Sequence, residues 1–202
     1  MHIALFEDHL TAENRPVTLP RPAFAVGLAA TRLYNVARAA ASGVSAVVRA
    51  YLRAKTEADF APSPIPERDV LFLNASLAPS FEIVERLVEQ ASDGRDFLIQ
   101  NDARVAAAYA ASVPEALRKA DERTITSALL ALPYRTVRQD LPLVAFPHDA
   151  VRLHQQFFDA NIARLTGGLR EERPGVFVGE GVRIHPTAVL DAEEGPIVLQ
   201  DK

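Results

Sequence analysis

The chain has 202 residues, 49% of them hydrophobic and 24% charged, which suits one medium domain with a short appendage and is too apolar for a disordered chain. Its net charge of −4 argues against the basic surface that nucleic-acid binding needs, but not against a nucleotide held by one local pair of arginines. Cysteine is absent, Met1–Asp8 meets two acids too early for a secretion signal, and no apolar run reaches the roughly 18–20 residues of a membrane span; disulfides and thiolate zinc sites are thereby excluded, and the expectation is a soluble, cytoplasmic protein.

Ile3–Phe6 is a short apolar run closed by Glu7 and Asp8, a buried first strand. Pro16, Pro20 and Pro22 keep residues 11–22 out of any helix interior, so a long loop leaves that strand. Leu28, Leu33, Val36, Ala37 and Ala40 predict a helix over 28–41, stopped at Ser42-Gly43. Val44–Val48 is a second strand, which makes a βαβ unit with a right-handed crossover. Residues 59–66 carry three prolines and form a loop. Val70–Leu73 is a third strand. Pro79 and Ser80 open a helix with Phe81, Val84, Leu87, Val88 and Ala91 on its apolar face. Phe97–Ile99 and Val105–Tyr109 are strands around an Asn101-Asp102 turn. Residues 114–132 are helical with a break, and 149–165 form another helix ended by Gly167-Gly168. This alternation predicts a mostly parallel sheet with helices on both faces, over residues 1–168.

After Gly168 the pattern changes. Val178, Ile184 and Leu190 recur every sixth position, and the small residues Val182 and Ala188 follow the first two by four. Helices repeat at 3.6 and strands at 2, so neither explains a period of six; a hexapeptide β-helix does. Residues 169–202 therefore read as the incomplete start of a β-helix, with an irregular β-hairpin as the plain alternative.

Ligands of open α/β sheets gather at the carboxyl ends of strands. The loop after the first strand holds Asp8, Arg15, Thr18 and Arg21, with prolines that stiffen the spacing. Arginine is a forked, permanently charged donor suited to phosphate oxygens. One reading is a clamp for a nucleotide or sugar phosphate. The other is a solvated loop whose arginines pair with Glu7, Asp8 and Glu13. His148 and His154 do not share a helix face as a metal pair. Asp149 reads as a helix cap rather than a base.

The order Leu5-Phe6-Glu7-Asp8, then Arg15-Pro16-Val17-Thr18-Leu19-Pro20-Arg21-Pro22, then Val26-Gly27-Leu28, resembles the start of the GlmU-like sugar nucleotidyltransferases. Leu71-Phe72-Leu73-Asn74-Ala75 with Pro79, Phe146-Pro147-His148-Asp149, and Ile184-His185-Pro186 with Gly195-Pro196-Ile197 continue the likeness along nearly the whole chain. The resemblance implies a Rossmann-like nucleotidyltransferase domain followed by the first coils of a left-handed β-helix. Such enzymes join a nucleoside triphosphate to a sugar 1-phosphate and release pyrophosphate, with Mg²⁺ offsetting phosphate charge. In full-length relatives the β-helix trimerises and carries an acyltransferase site. Asp8, Arg15, Thr18, Arg21 and Asn74 are the positions that would meet the nucleotide or sugar phosphate.

The sequence also departs from the pyrophosphorylase pattern. The first loop has no glycine before Gly27 and no lysine; Lys55, Lys119 and Lys202 are the chain's only lysines. Asn74-Ala75-Ser76 stands where a metal-binding aspartate is expected. Pro20 replaces a threonine and His148 a tryptophan. Two functions therefore stand side by side: a nucleotidyltransferase, or a non-catalytic binding or structural domain attached to a β-helix acyltransferase.

Overall fold

A computed structural model describes residues 1–101 and 103–200. The chain divides into two compact units, residues 1–158 and 159–202.

The first unit is built on six strands: β1 (His2–Phe6), β2 (Gly43–Val47), β3 (Arg68–Asn74), β4 (Phe97–Asn101), β5 (Arg104–Ser112) and β6 (Arg135–Val137), in the order β2-β1-β3-β5-β4-β6. β1 pairs in parallel with β2 and β3, and β4 with β6, whereas β5 runs antiparallel to β3 and β4. The sheet is thus mixed rather than simply parallel. A link as short as 102–103 can only turn the chain back on itself, because a parallel return needs a crossover of a dozen or more residues. Asp102, which the sequence places in that turn, lies outside the described residues, as do Asp201 and Lys202.

Strand alternation sorts the core onto two faces. Ile3, Leu5, Leu71, Leu73 and Ile99 pack with α1 (Leu33–Ala40) and α3 (Phe81–Ala91). Ala4, Phe6, Val70, Phe72 and Leu98 meet Leu117, Ile125 and Leu129 of α4 (Glu115–Arg118) and α5 (Ile125–Leu130). Helices therefore cover both faces. The α3 helix starts where its cap requires, Ser80 Oγ accepting the Ile83 amide at 3.3 Å.

Three helices differ from the sequence expectation. The first begins five residues later than Leu28. Leu28 and Thr31 exchange backbone hydrogen bonds, and Ala29 and Ala30 both take positive φ (49° and 65°), forming a tight turn ahead of α1. Residues 53–60 form α2 (Arg53–Phe60), which carries too few apolar residues to show a face. The last helix, α6 (Pro147–Thr166), starts before Asp149, whose carboxylate reaches back to the amides of Ala145 (3.1 Å) and Phe146 (2.9 Å). Burial would raise the Asp149 pKa, but those amides overcome it and hold it below the ordinary value.

The second unit contains β7 (Arg170–Arg173), β8 (Val176–Val178) and β9 (Ile197–Leu199); β7 pairs antiparallel with β8, and β8 in parallel with β9. Ile184 and Leu190 lie outside these strands, each less exposed than its neighbours, while Val189 is almost fully exposed.

Candidate functional site

β1 lies between β2 and β3, so the strand order reverses there. In an open α/β sheet that reversal opens a crevice at the strands' carboxyl ends. Three segments meet at it: the loop after β1, residues 75–80 after β3, and residues 140–147. The last is stitched down by Asn101, whose amide pairs with Asp140 (2.9 Å) and with the backbone of Leu141. Backbone bonds from Ala78 to Pro142 and from Val144 to Ser76 (both 2.8 Å) complete the wall.

Glu7 and Asp8 continue β1 and anchor its loop on two sides. Glu7 is fully buried. Its Oε1 accepts from the Ala23 amide (2.9 Å) and Arg49 Nη2 (3.0 Å), and its Oε2 from the Arg49 amide (2.9 Å) and Nε (3.0 Å). Such a forked pair is the strong form of carboxylate–guanidinium contact. Arg49 also donates to the carbonyls of Thr18 (2.6 Å) and Arg21 (3.2 Å) and to the Tyr51 hydroxyl, which donates to Leu19 O. One ion pair thus fixes the backbone of residues 18–23.

Asp8 is the cap of a 3₁₀ turn over His9–Asn14. Its Oδ1 accepts from the amides of Leu10 and Thr11, the Thr11 hydroxyl and Arg104 Nη2; its Oδ2 accepts from Asn74 Nδ2 (2.9 Å) and Arg104 Nε (2.8 Å). Burial alone would raise the Asp8 carboxyl, but Arg104 and then Asn74 outweigh it and hold the carboxylate below its ordinary value. The Asn74 amide donates onward to Val105 O, and its Oδ1 accepts the Ser76 amide.

The residues singled out from sequence therefore fall into two sets. Asp8 and Asn74 join in one buried network, and Thr18 reaches it through Thr11, whose carbonyl accepts the Thr18 hydroxyl at 3.2 Å. Arg15 and Arg21 are exposed, and their side chains make no hydrogen bond or ion pair among the described residues. Glu7 and Asp8 pair with Arg49 and Arg104, not with the loop arginines. Sequence reasoning passed over these two partners. Arg49 directly follows a predicted strand, so the carboxyl-end rule could have found it. Arg104 could not be found without knowing that β5 runs antiparallel and starts at the same sheet edge.

Beneath the loop lies a narrow cavity of about 60 Å³, lined mainly by apolar groups including Val17, Leu28, Leu33, Leu77 and Val144. Asn14 and Ser76 also line it, and their Oδ1 and Oγ atoms are buried without a hydrogen-bond partner. Asn14 is oriented by its other amide atom, which donates to Val144 O at 3.0 Å. Among the described residues no cluster of three or more His, Asp or Glu side chains is placed to hold a metal. Both Asp8 oxygens are engaged by hydrogen bonds from Arg104, Asn74 and the turn that follows.

An open sheet with helices on both faces and a crevice at the β1/β3 reversal defines a Rossmann-like α/β domain. A family model described as sugar nucleotidyl transferase matches residues 3–170, and the chain belongs to that family. No curated protein matches the chain. No helix among the described residues is long and apolar enough to cross a membrane.

Proposed function

We propose that the first unit binds a nucleoside triphosphate and a sugar 1-phosphate at the β1/β3 crevice and forms a nucleoside diphosphate sugar. An oxygen of the sugar phosphate attacks the α-phosphorus; a new P–O bond forms, the bond to the bridging oxygen breaks, and pyrophosphate leaves with that electron pair. Such a reaction asks the protein mainly for positioning and charge neutralisation. Mg²⁺ enters with the triphosphate as part of the substrate.

The observation that carries this reading is the loop itself. Its backbone is pinned by the Glu7–Arg49 pair, while Arg15 and Arg21 are exposed cations with no partner among the described residues. A charge-assisted hydrogen bond contributes about 1.5–3 kcal/mol, so two such arginines would together strengthen phosphate binding by roughly 10²–10⁴-fold. Incubation with UTP, Mg²⁺ and N-acetylglucosamine 1-phosphate, then with other nucleotide and sugar-phosphate pairs, should release pyrophosphate. Silence across the panel removes the catalytic reading.

A second reading has its own observation. Asp8 and Asn74 are engaged internally, and the loop has no lysine. A binding or structural domain attached to a β-helix acyltransferase needs no more than this. A thermal shift with UDP-sugars and no turnover would favour it. The tail supports a β-helix attachment: its hexads at Val178, Ile184 and Leu190 carry the chain away from β8 and back beside it in parallel at β9, as one circuit of a β-helix does. Trimerisation of a longer protein would follow from further coils.

A further inference from the structure

A second, open cleft of about 420 Å³ borders the start of α1, lined in part by Thr31, Arg32, Asn35 and His154. Thr31 is only 7% exposed, yet its hydroxyl has no hydrogen-bond partner among the described residues. A hydroxyl in that position has capacity for something in the cleft. It is also not among the polar atoms sealed from solvent, so a ligand can reach it.

The surrounding groups are donors. Arg32 is the N-cap of α1 and makes no side-chain cap, and the first turn holds no acid. The amides of Leu33 and Tyr34 meet no acceptor among the described residues, as expected for an uncapped helix start, which carries partial positive charge. Arg32 is exposed and forms no ion pair among the described residues. His154 Nδ1 accepts the Ala29 amide at 3.2 Å, which places the proton of the neutral ring on Nε2. Among the described residues no Asp or Glu lines the cleft.

We propose that this cleft is an anion site for a phosphate group of a substrate. The proposal deepens the transferase reading above and rests on it for the source of that phosphate: a reaction joining two phosphorylated molecules needs more than one set of phosphate donors, and the Arg15–Arg21 loop is the other.

Backbone-amide NMR of the whole chain tests it, with inorganic phosphate, glucose 1-phosphate and UTP titrated separately. Saturable shifts are expected at Thr31, Leu33 and Tyr34. The Thr31→Val/Arg32→Gln double variant should bind about tenfold more weakly with an unchanged melting temperature, and Thr31→Ser should restore most of the loss that Thr31→Val causes. Shifts with glucose 1-phosphate but not UTP assign the cleft to the sugar substrate; the converse assigns it to the nucleotide. Shifts with inorganic phosphate alone, no shifts at residues 31–34, or undiminished binding by the double variant would each overturn the site. Pyrophosphate release is measured apart: a silent enzyme with intact, variant-sensitive shifts removes the transferase reading and keeps the anion site.

Discussion

Four arginines lie on the loop after β1 or contact its anchoring carboxylates, and they divide cleanly. Arg49 and Arg104 are 9% and 7% exposed and each is forked onto a carboxylate, Glu7 and Asp8. Arg15 and Arg21 sit on the same loop in solvent with no ion-pair partner among the described residues. The base of the loop is a closed electrostatic unit, and its tip presents unbalanced positive charge. The residue type is the same in both places; what differs is whether a buried carboxylate shares its surroundings. A buried charge must be paired, so Arg49 and Arg104 are confined to holding the loop. Arg15 and Arg21 are available to a ligand.

Removing one partner at the base should have the largest effect. Glu7→Ala leaves the Arg49 guanidinium buried and unpaired, which costs about 3–5 kcal/mol. For a chain of this length that lowers the melting temperature by roughly 10 °C, read by thermal or urea melts. If Glu7→Ala is no less stable than Arg15→Gln, the division between base and tip is wrong.

Asp8→Asn should cost less, about 2 kcal/mol at pH 7, because the amide oxygen still accepts some of the bonds while the charge-assisted ones weaken. The pH dependence gives the sharper reading. The Asp8 pKa is below its ordinary 3.8 in the folded protein, so the unfolded chain binds a proton more readily. Its stabilisation is fully present above pH 3.8 and is lost as the pH falls through the depressed native value. The stability gap between wild type and Asp8→Asn should therefore close on acidification. A gap constant down to pH 2 would show that Asp8 acts by shape and not by charge.

At the tip the expected pattern is inverted. Arg15→Gln and Arg21→Gln should each weaken nucleotide or sugar-phosphate binding about tenfold, equivalent to one charged hydrogen bond. Folding stability should move by less than about 0.5 kcal/mol. Calorimetric titration beside a urea melt separates the two quantities. Intact binding in both variants would take the ligand away from the tip.

The sequence points to residues of both the tip and the base, but not to the base's pairing. Spacing alone leaves open whether Arg15 and Arg21 are a clamp or pair within the loop, and the family resemblance singles them out with Asp8, Thr18 and Asn74. The partners of Glu7 and Asp8 come from residues 49 and 104, and only the strand order and the reversed β5 bring them in. The sheet and α3 were readable because Ile3–Phe6 and Val70–Leu73 are apolar and Ser80 caps a periodic face. By contrast, α2 shows only Thr56 fully buried, and β7 is Arg-Glu-Glu-Arg, exposed throughout. A segment that buries so little leaves no periodicity to read.

The misplaced start of the first helix has the same cause in reverse and sets the smallest expected effect. Residues 28–31 look helical because Leu28 is apolar and alanine favours helices, but the paired bonds between Leu28 and Thr31 demand positive φ at both intervening residues. A left-handed alanine costs about 1–2 kcal/mol. Ala30 is exposed and has no packing to lose, whereas Ala29 is fully buried. Ala30→Gly removes the steric cost and gives back roughly 0.4–1 kcal/mol through a looser unfolded chain. The net should be a stabilisation of about 0.5 kcal/mol, a rise of 1–2 °C in melting temperature on the order-of-magnitude scale for this length. The turn also carries Thr31 to the mouth of the α1 cleft. An Ala30→Gly protein that melts higher but shows weaker phosphate shifts at Leu33 and Tyr34 would mean that the alanine's strain holds the cleft in shape; equal shifts would mean the hydrogen bonds of the turn suffice.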